Sequence, residues 1–234
     1  MKRLTVVALT ALSVQTGSAV DWRVTREEIE KTPRWMVQLT RPVDTNEVPL
    51  AEAPRDMKLF LLVGQSNMSG RGAVGAEDAK PMSRCFKLNR DGRWVASTTP
   101  IHFDRPSCGY GLINSFVRRY LAEHPSDVVG LIPCAVGGSH SITWSSEKGP
   151  DPVGTNFRRA ISLSKIAQRN GTIIGILWHQ GETDIDCHPN DPDLKRRYSL
   201  RLRDMAKTFR VELTVRTPPF LLAKLEPCHG IARL

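Results

Sequence analysis

The stretch Leu59-Phe60-Leu61-Leu62-Val63-Gly64-Gln65-Ser66-Asn67-Met68-Ser69-Gly70 sets the frame for the whole chain. It opens on an unbroken run of five apolar residues that stops at a glycine. A strand with one face in water alternates apolar and polar side chains, so an uninterrupted run marks a strand buried on both faces. Such strands belong mostly to parallel sheets, whose neighbours are joined by helical crossovers. The rest of the chain supplies both parts. Val128–Ile132 and Thr172–Trp178 repeat the buried pattern, and Phe220–Ala223, after Pro218-Pro219, is a shorter candidate. Between these runs, Leu112, Ile113, Phe116, Val117, Tyr120 and Leu121 recur at helical spacing. Phe157, Ala160, Ile161, Leu163, Ile166 and Ala167 form a second such face. Leu194, Tyr198, Leu202, Met205, Ala206 and Phe209 form a third, with arginines and lysines on its other side. Strands alternating with amphipathic helices predict an α/β fold, a three-layer α/β/α sandwich around a mostly parallel central sheet.

At 234 residues the chain is long enough for one larger α/β domain with a core of its own. Its composition, 40% apolar and 24% charged with 17 Gly and 16 Pro dispersed through it, is that of an ordinary globular protein. Collagen, extended disorder, a long coiled coil and a polytopic membrane protein are excluded. No internal repeat and no second domain are visible.

The N-terminus has a different character. Met1-Lys2-Arg3 is a short positive segment, Leu4–Val14 an apolar run of eleven residues, and Gly17-Ser18-Ala19 a small-residue cleavage pattern. Together they read as a secretory signal peptide over residues 1–19, the alternative being a buried N-terminal helix or strand. Eleven residues are too few to span a bilayer as a helix. Cleavage after Ala19 leaves 215 residues and takes the formal charge from +9 to +7. The mature protein is expected to be soluble and secreted, with no membrane span. Residues 20–57, polar and punctuated by Pro33, Pro42, Pro49 and Pro54, read as a surface lead-in.

The positive charge invites a nucleic-acid reading that the pattern resists. Lys195-Arg196-Arg197 and the Arg201–Arg203 stretch lie along a helical segment and are not interleaved with aromatics, and no nucleic-acid-binding signature is present. A solvated basic face is the plain reading; attraction to an acidic polymer, such as an acidic polysaccharide, is the sharper one. Of the five cysteines, Cys85, Cys108, Cys134, Cys187 and Cys228, none forms a C-x-x-C pair, which argues against structural zinc. Cys134 lies in an apolar run and is expected as a buried free thiol.

In a parallel sheet ligands bind beyond the carboxyl ends of the strands, so the residues just past each run carry the chemistry. The first run leads into Gly64-Gln65-Ser66-Asn67-Met68-Ser69-Gly70, the second into Ala135-Val136-Gly137-Gly138-Ser139, the third into His179-Gln180-Gly181-Glu182-Thr183-Asp184. All three are small or polar. Turn residues account for any one of them, but poorly for three together. The first is close to the G-x-S-x-G elbow, with Met68 in place of the last glycine. No P-loop is present, and Gly109-Tyr110-Gly111 lacks the third glycine and preceding strand of a dinucleotide fingerprint. Asp184, Asp186 and His188 are conceivable metal ligands, but they sit just before a helix, where capping is the commoner role.

These motifs carry a resemblance. Leu61–Gly72 looks like the first block of the SGNH (GDSL-like) hydrolases, and more narrowly of the branch with sialate O-acetylesterases and the acetylxylan esterases of carbohydrate esterase family six. Pro133–Gly138 and Trp178–Asp184 match that branch in order and approximate spacing, so that the resemblance covers roughly residues 58–225. It implies a flavodoxin-like fold and a serine esterase that removes O-acetyl groups from carbohydrate, with no metal or organic cofactor. By the same resemblance Ser66 is the nucleophile. The oxyanion hole is formed by the Ser66 N–H, the Gln180 side-chain amide and a glycine N–H of the segment Ser107–Gly111, Gly109 being preferred to Gly111. The family also places a D-x-x-H pair on a late loop, and no D-x-x-H occurs after residue 184. The nearest approach is Glu226-Pro227-Cys228-His229. Two accounts are open: a domain over 58–234 truncated at its C-terminus, or a short substitute in which His229 is the general base and Glu226 orients it. An inactive or carbohydrate-binding relative on the same scaffold is the alternative to a working esterase.

Overall fold

The computed structural model describes residues 6–8, 23–24, 30, 47–149, 152–215 and 219–223. Among them are the strands β1 (Val6–Ala8), β2 (Met57–Gly64), β3 (Cys85–Leu88), β4 (Trp94–Ala96), β5 (Val129–Pro133), β6 (Gly171–His179) and β7 (Phe220–Ala223). The helices are α1 (Ser66–Ser69), α2 (Leu112–Glu123), α3 (Thr155–Ala167), α4 (Glu182–Cys187) and α5 (Leu194–Glu212), with a 3₁₀ turn at Ser141–Trp144. The strands form one sheet in the order β1-β7-β6-β2-β5-β3-β4. The five inner strands are parallel, and β1 and β4 close the edges antiparallel. The four buried strands and three amphipathic helices expected from periodicity are all present. The four strands expected from the sequence lie in the order β5-β2-β6-β7, the 2-1-3-4 arrangement of a flavodoxin-like sheet, and β3 and β4 extend it beyond β5.

The pleat of β2 explains its unbroken apolar run. Met57, Leu59, Leu61 and Val63 face the layer of α3 and α5, while Phe60 and Leu62 face the layer of α2. Each such side chain taken out of water stabilises the fold by about 1.5–3 kcal/mol. Space for the largest comes from the neighbouring strands. Leu59 lies opposite Gly130 of β5 and Phe60 opposite Gly175 of β6. A Cβ at Gly130 would stand 2.5 Å from Leu59, and one at Gly175 would stand 2.8 Å from the Phe60 ring. The glycines inside those two apolar runs are therefore packing requirements.

Periodicity did not reveal the β3–β4 hairpin, because Lys87 interrupts a short run. Its side chain is 1% exposed, yet its ammonium donates to the carbonyls of Pro100 at 2.6 Å and Thr98 at 3.2 Å. It also pairs with Glu47 at 2.6 Å. Burial lowers its pKa and Glu47 partly restores it. With all three donors used, a buried lysine is tolerated. The hairpin also holds part of the lead-in, since the Leu50 N–H donates to the Trp94 carbonyl at 2.9 Å. At the other edge Val6–Ala8, from the apolar N-terminal run, pairs with Leu221–Ala223. Cys134 is buried as expected, and burial pushes its thiol up to about 12.

His102, in the segment after β4, is 2% exposed, and its Nε2 has no partner. Burial drives its pKa from 6.5 down to about 4, opposed in part by Asp104. The unfolded chain therefore binds a proton in this interval that the folded protein refuses. Stability from this group is complete above pH 6.5 and is lost as the pH falls towards 4. The whole effect is about 3 kcal/mol. We expect His102→Gln to flatten the fall of unfolding free energy between these pH values, measured by urea titration. A slope equal to that of the wild type would show that His102 is not the group responsible.

Candidate functional site

The three motif loops meet because β2, β5 and β6 are neighbours. Gly64 is the register partner of His179, and the Gln65 N–H donates to the His179 carbonyl at 2.8 Å. On the other side the Val136 N–H donates to the Gly64 carbonyl at 3.0 Å. Gly64 has φ +132°, and a Cβ there would lie 2.1 Å from the His179 oxygen. Only glycine lets the chain turn there out of β2 and into α1, which begins at Ser66. Ser66 is half-buried, and no group among the described residues hydrogen-bonds its hydroxyl.

The Ser107–Gly111 segment also reaches this end of the sheet. Gly72 and Tyr110 exchange backbone hydrogen bonds of 2.9 and 2.8 Å, and a Cβ at Gly109 would lie 2.1 Å from the Gly72 oxygen. The Gly109 N–H donates to the Gly70 carbonyl at 3.2 Å, and the Gly111 N–H to Asn114 Oδ1 at 2.9 Å. Ahead of this segment, Asp104 accepts from the Gly137 N–H at 2.6 Å, from the Cys108 thiol at 2.8 Å and from Arg71 at 3.4 Å. Burial pushes the Asp104 carboxyl up, but these donors and His102 outweigh it and hold it below the ordinary value. Arg105 donates to the Gly137 carbonyl at 2.8 Å, so the Asp104–Arg105 pair clamps the second motif loop.

Gln180 is 3% exposed. Its Nε2 donates to the Ser139 carbonyl at 3.0 Å and to Asp184 Oδ2 at 2.5 Å. Asp184 also accepts from the Ser141 N–H at 3.0 Å and lies 3.6 Å from His140 Nε2. The Gln180 carbonyl accepts from the Tyr198 hydroxyl at 2.6 Å, which itself accepts from Trp178 Nε1 at 3.0 Å. Burial and the nearby Asp184 raise the Tyr198 phenol well above its usual value, so it remains a donor. Of Asp184, Asp186 and His188, expected as caps, none begins a helix, and His188 ends α4 with its N–H donating to the Asp184 carbonyl. Asp184 lies inside α4 with its carboxylate turned into the protein, Asp186 is exposed, and the His188 ring packs edge-on against His140 at 5.3 Å. Beside Ser66, Asn67 donates to Glu182, and His179 Nε2 lies 4.0 Å from the same carboxylate, with burial lowering the His179 pKa. Glu226 and His229 lie outside the described residues.

This arrangement, a serine hydroxyl without a partner among the described residues at the meeting of three strand-end loops rich in backbone and amide donors, suits acyl transfer. The model of the carbohydrate esterase, sialic acid-specific acetylesterase family matches residues 56–231. The chain belongs to this family. A relative in Arabidopsis thaliana, named "Probable carbohydrate esterase", is 29% identical over 185 residues, covering 70% of this chain and 67% of that one. An X-ray structure of a protein from Arabidopsis thaliana is similar with a TM-score of 0.60 and 26% identity, over 70% of this chain and 73% of the other. The crystal structure of NanS shares the fold, with a TM-score of 0.51 at 20% identity over 70% of this chain and 64% of NanS. The family match begins with β2 and takes in all three motif loops.

Asp104, Tyr198 and Arg201 were not found as site residues from the sequence, and Asp184 only as a conceivable metal ligand. Asp184 alone carried a signal, as the last residue of the third motif. Tyr198 sits in an ordinary core stripe and Arg201 in a basic run, so nothing in their spacing distinguishes them.

Proposed function

We propose that this chain is an exported serine esterase that removes O-acetyl groups from carbohydrate through an acyl-enzyme on Ser66. The observation that carries this reading is the Ser66 hydroxyl, placed at the strand end beside Gln180's loop in a chain of a carbohydrate acetylesterase family. Ser66 Oγ attacks the acetyl carbonyl while its proton passes to an imidazole. The resulting oxyanion is met by the Ser66 N–H, the Gln180 amide and the Gly109 N–H. The bond from Gly109 to Gly70, at 3.2 Å, is long enough for a stronger acceptor to compete for its proton. Collapse of the intermediate breaks the ester C–O bond, and the sugar oxygen leaves with the proton from the imidazole. Water then attacks the acetyl-Ser66 carbonyl, and acetate departs as the serine recovers its proton.

The imidazole is that of His229, oriented by Glu226, or of another histidine. An inactive or carbohydrate-binding relative on the same scaffold is the second reading, and turnover decides between them.

With an activated acetyl ester, Ser66→Ala is expected to abolish turnover while thermal unfolding stays as in the wild type; retained turnover would remove Ser66 as nucleophile. Gln180→Ala is expected to lower kcat by roughly 10²–10³ with a smaller change in KM. A change confined to KM would place Gln180 in ground-state binding. His229→Ala removes any activity that depends on His229 and leaves it untouched if the base lies elsewhere. Export predicts that N-terminal sequencing of the secreted protein begins at Val20, a cleavage that takes β1 away from the edge of the sheet; an intact Met1 on that protein would refute cleavage and leave β1 as the edge strand.

A further inference from the structure

The side-chain amide of Gln180 has two ends of nearly equal size, and packing alone does not choose between them. The choice matters, because only the nitrogen end donates hydrogen bonds and can stabilise an oxyanion. Two acceptors flank Nε2: the Ser139 carbonyl at 3.0 Å and Asp184 Oδ2 at 2.5 Å. With the amide reversed, Oε1 would face both of these oxygens with no proton between them. Oε1 in the observed orientation is buried and has no partner among the described residues. The protein therefore leaves the carbonyl end of the amide unsatisfied among these residues so that the nitrogen end faces Asp184.

We infer that Asp184 is the positioning residue for the oxyanion donor: its carboxylate fixes the Gln180 amide with nitrogen inward, retaining one proton while the other moves from Ser139 to the oxyanion. This rests on the esterase reading and specifies how Gln180 serves it. The two bonds are suited to such a division. The one to the Asp184 carboxylate is charge-assisted, and the one to a neutral carbonyl is the weaker. Asp184 is itself held firmly. It is 2% exposed, and the Ser141 N–H donates to the same oxygen that Gln180 uses. A carboxylate near a developing oxyanion would oppose it, and a buried guanidinium lies on the other side of Ser141. Arg201 is 5% exposed and donates to Ser141 Oγ at 2.7 Å, so Ser141 bridges the two charges through its N–H and its hydroxyl. The carboxylate thus comes from α4, its backbone donor from the loop after β5, and the guanidinium from α5.

The test is a double-mutant cycle of Asp184→Asn and Gln180→Ala on the full chain, with an activated acetyl ester as probe. Asp184→Asn keeps the shape and removes the charge. It is expected to lower kcat by about 10-fold, short of the ~10²–10³ for losing the donor itself, with KM changed less than about two-fold. In the Gln180→Ala background the same substitution is expected to cost nothing further, because Asp184 acts through Gln180. Equal losses in both backgrounds, or a loss confined to KM, would overturn the proposal and leave Asp184 a structural residue. A second readout needs no turnover: the ¹H–¹⁵N signals of the Gln180 side-chain amide. One proton shifted downfield and protected from exchange, and released in Asp184→Asn, is expected. Rapid exchange of both protons in the wild type overturns the proposal even if Asp184→Asn does not fold. Wild-type protein without Ser66-dependent turnover overturns the esterase reading and the catalytic consequence with it, while the amide spectrum still decides whether Asp184 holds Gln180.

Discussion

Leu59 to Val63 are shielded on both faces of the sheet, and the remaining architecture stems from how that burial is achieved. Large side chains on β2 need two apolar layers above and below and room beside them. Helices α3 and α5 provide one layer and α2 the other. Gly130 and Gly175 provide the room in the flanking strands. With β5 and β6 packed so closely against β2, their carboxyl ends come out together. The last residue of β2 then faces the His179 backbone at a separation only glycine allows. The hydrophobic packing of the middle layer thus dictates where Ser66 emerges and what surrounds it.

The end of the sheet that carries the candidate site is built on a different principle from its middle. There the buried groups are polar, and Gln180, Asp184, Asp104 and Arg201 are each almost inaccessible. Burial without partners would cost several kcal/mol for each charged group. The protein meets that cost with hydrogen bonds drawn from separate loops. Asp104 joins the second motif loop to Cys108 and Arg71, and Asp184 joins that same loop to the third motif. Because each carboxylate accepts from backbone N–H groups, shifting one loop would leave a buried charge unpaired. This is a rigid scaffold of the kind that electrostatic stabilisation of a transition state requires.

Lys87 shows how the same logic hides structure from a sequence reading. A lysine in a short apolar run signals a surface turn, since lysines are almost never fully buried unless paired. Here Glu47 and two carbonyls pair it, and the strand that contains it is part of the core sheet. The partners are distant along the chain or belong to an irregular segment, so no local pattern announces them.

The sequence by itself determined the layers, the four buried strands, the three long helices and the three loops that meet at the carboxyl end of the sheet. Those features rest on periodicity and on residues adjacent in the chain, which sequence records directly. It also singled out Ser66 and Gln180, because their motifs are contiguous. Only the tertiary structure decided that β5 and not β3 lies beside β2, that β3 and β4 extend the sheet, and that both Gln180 amide protons are held by Ser139 and Asp184. It likewise decided that Tyr198 and Arg201, ordinary members of a core stripe and a basic run, reach the polar network beneath the site. The physical reason is the range of the interactions. Helical and strand patterns arise from neighbours within a few residues, whereas a hydrogen bond between α5 and the loop after β5 exists only once the sheet has brought the two together.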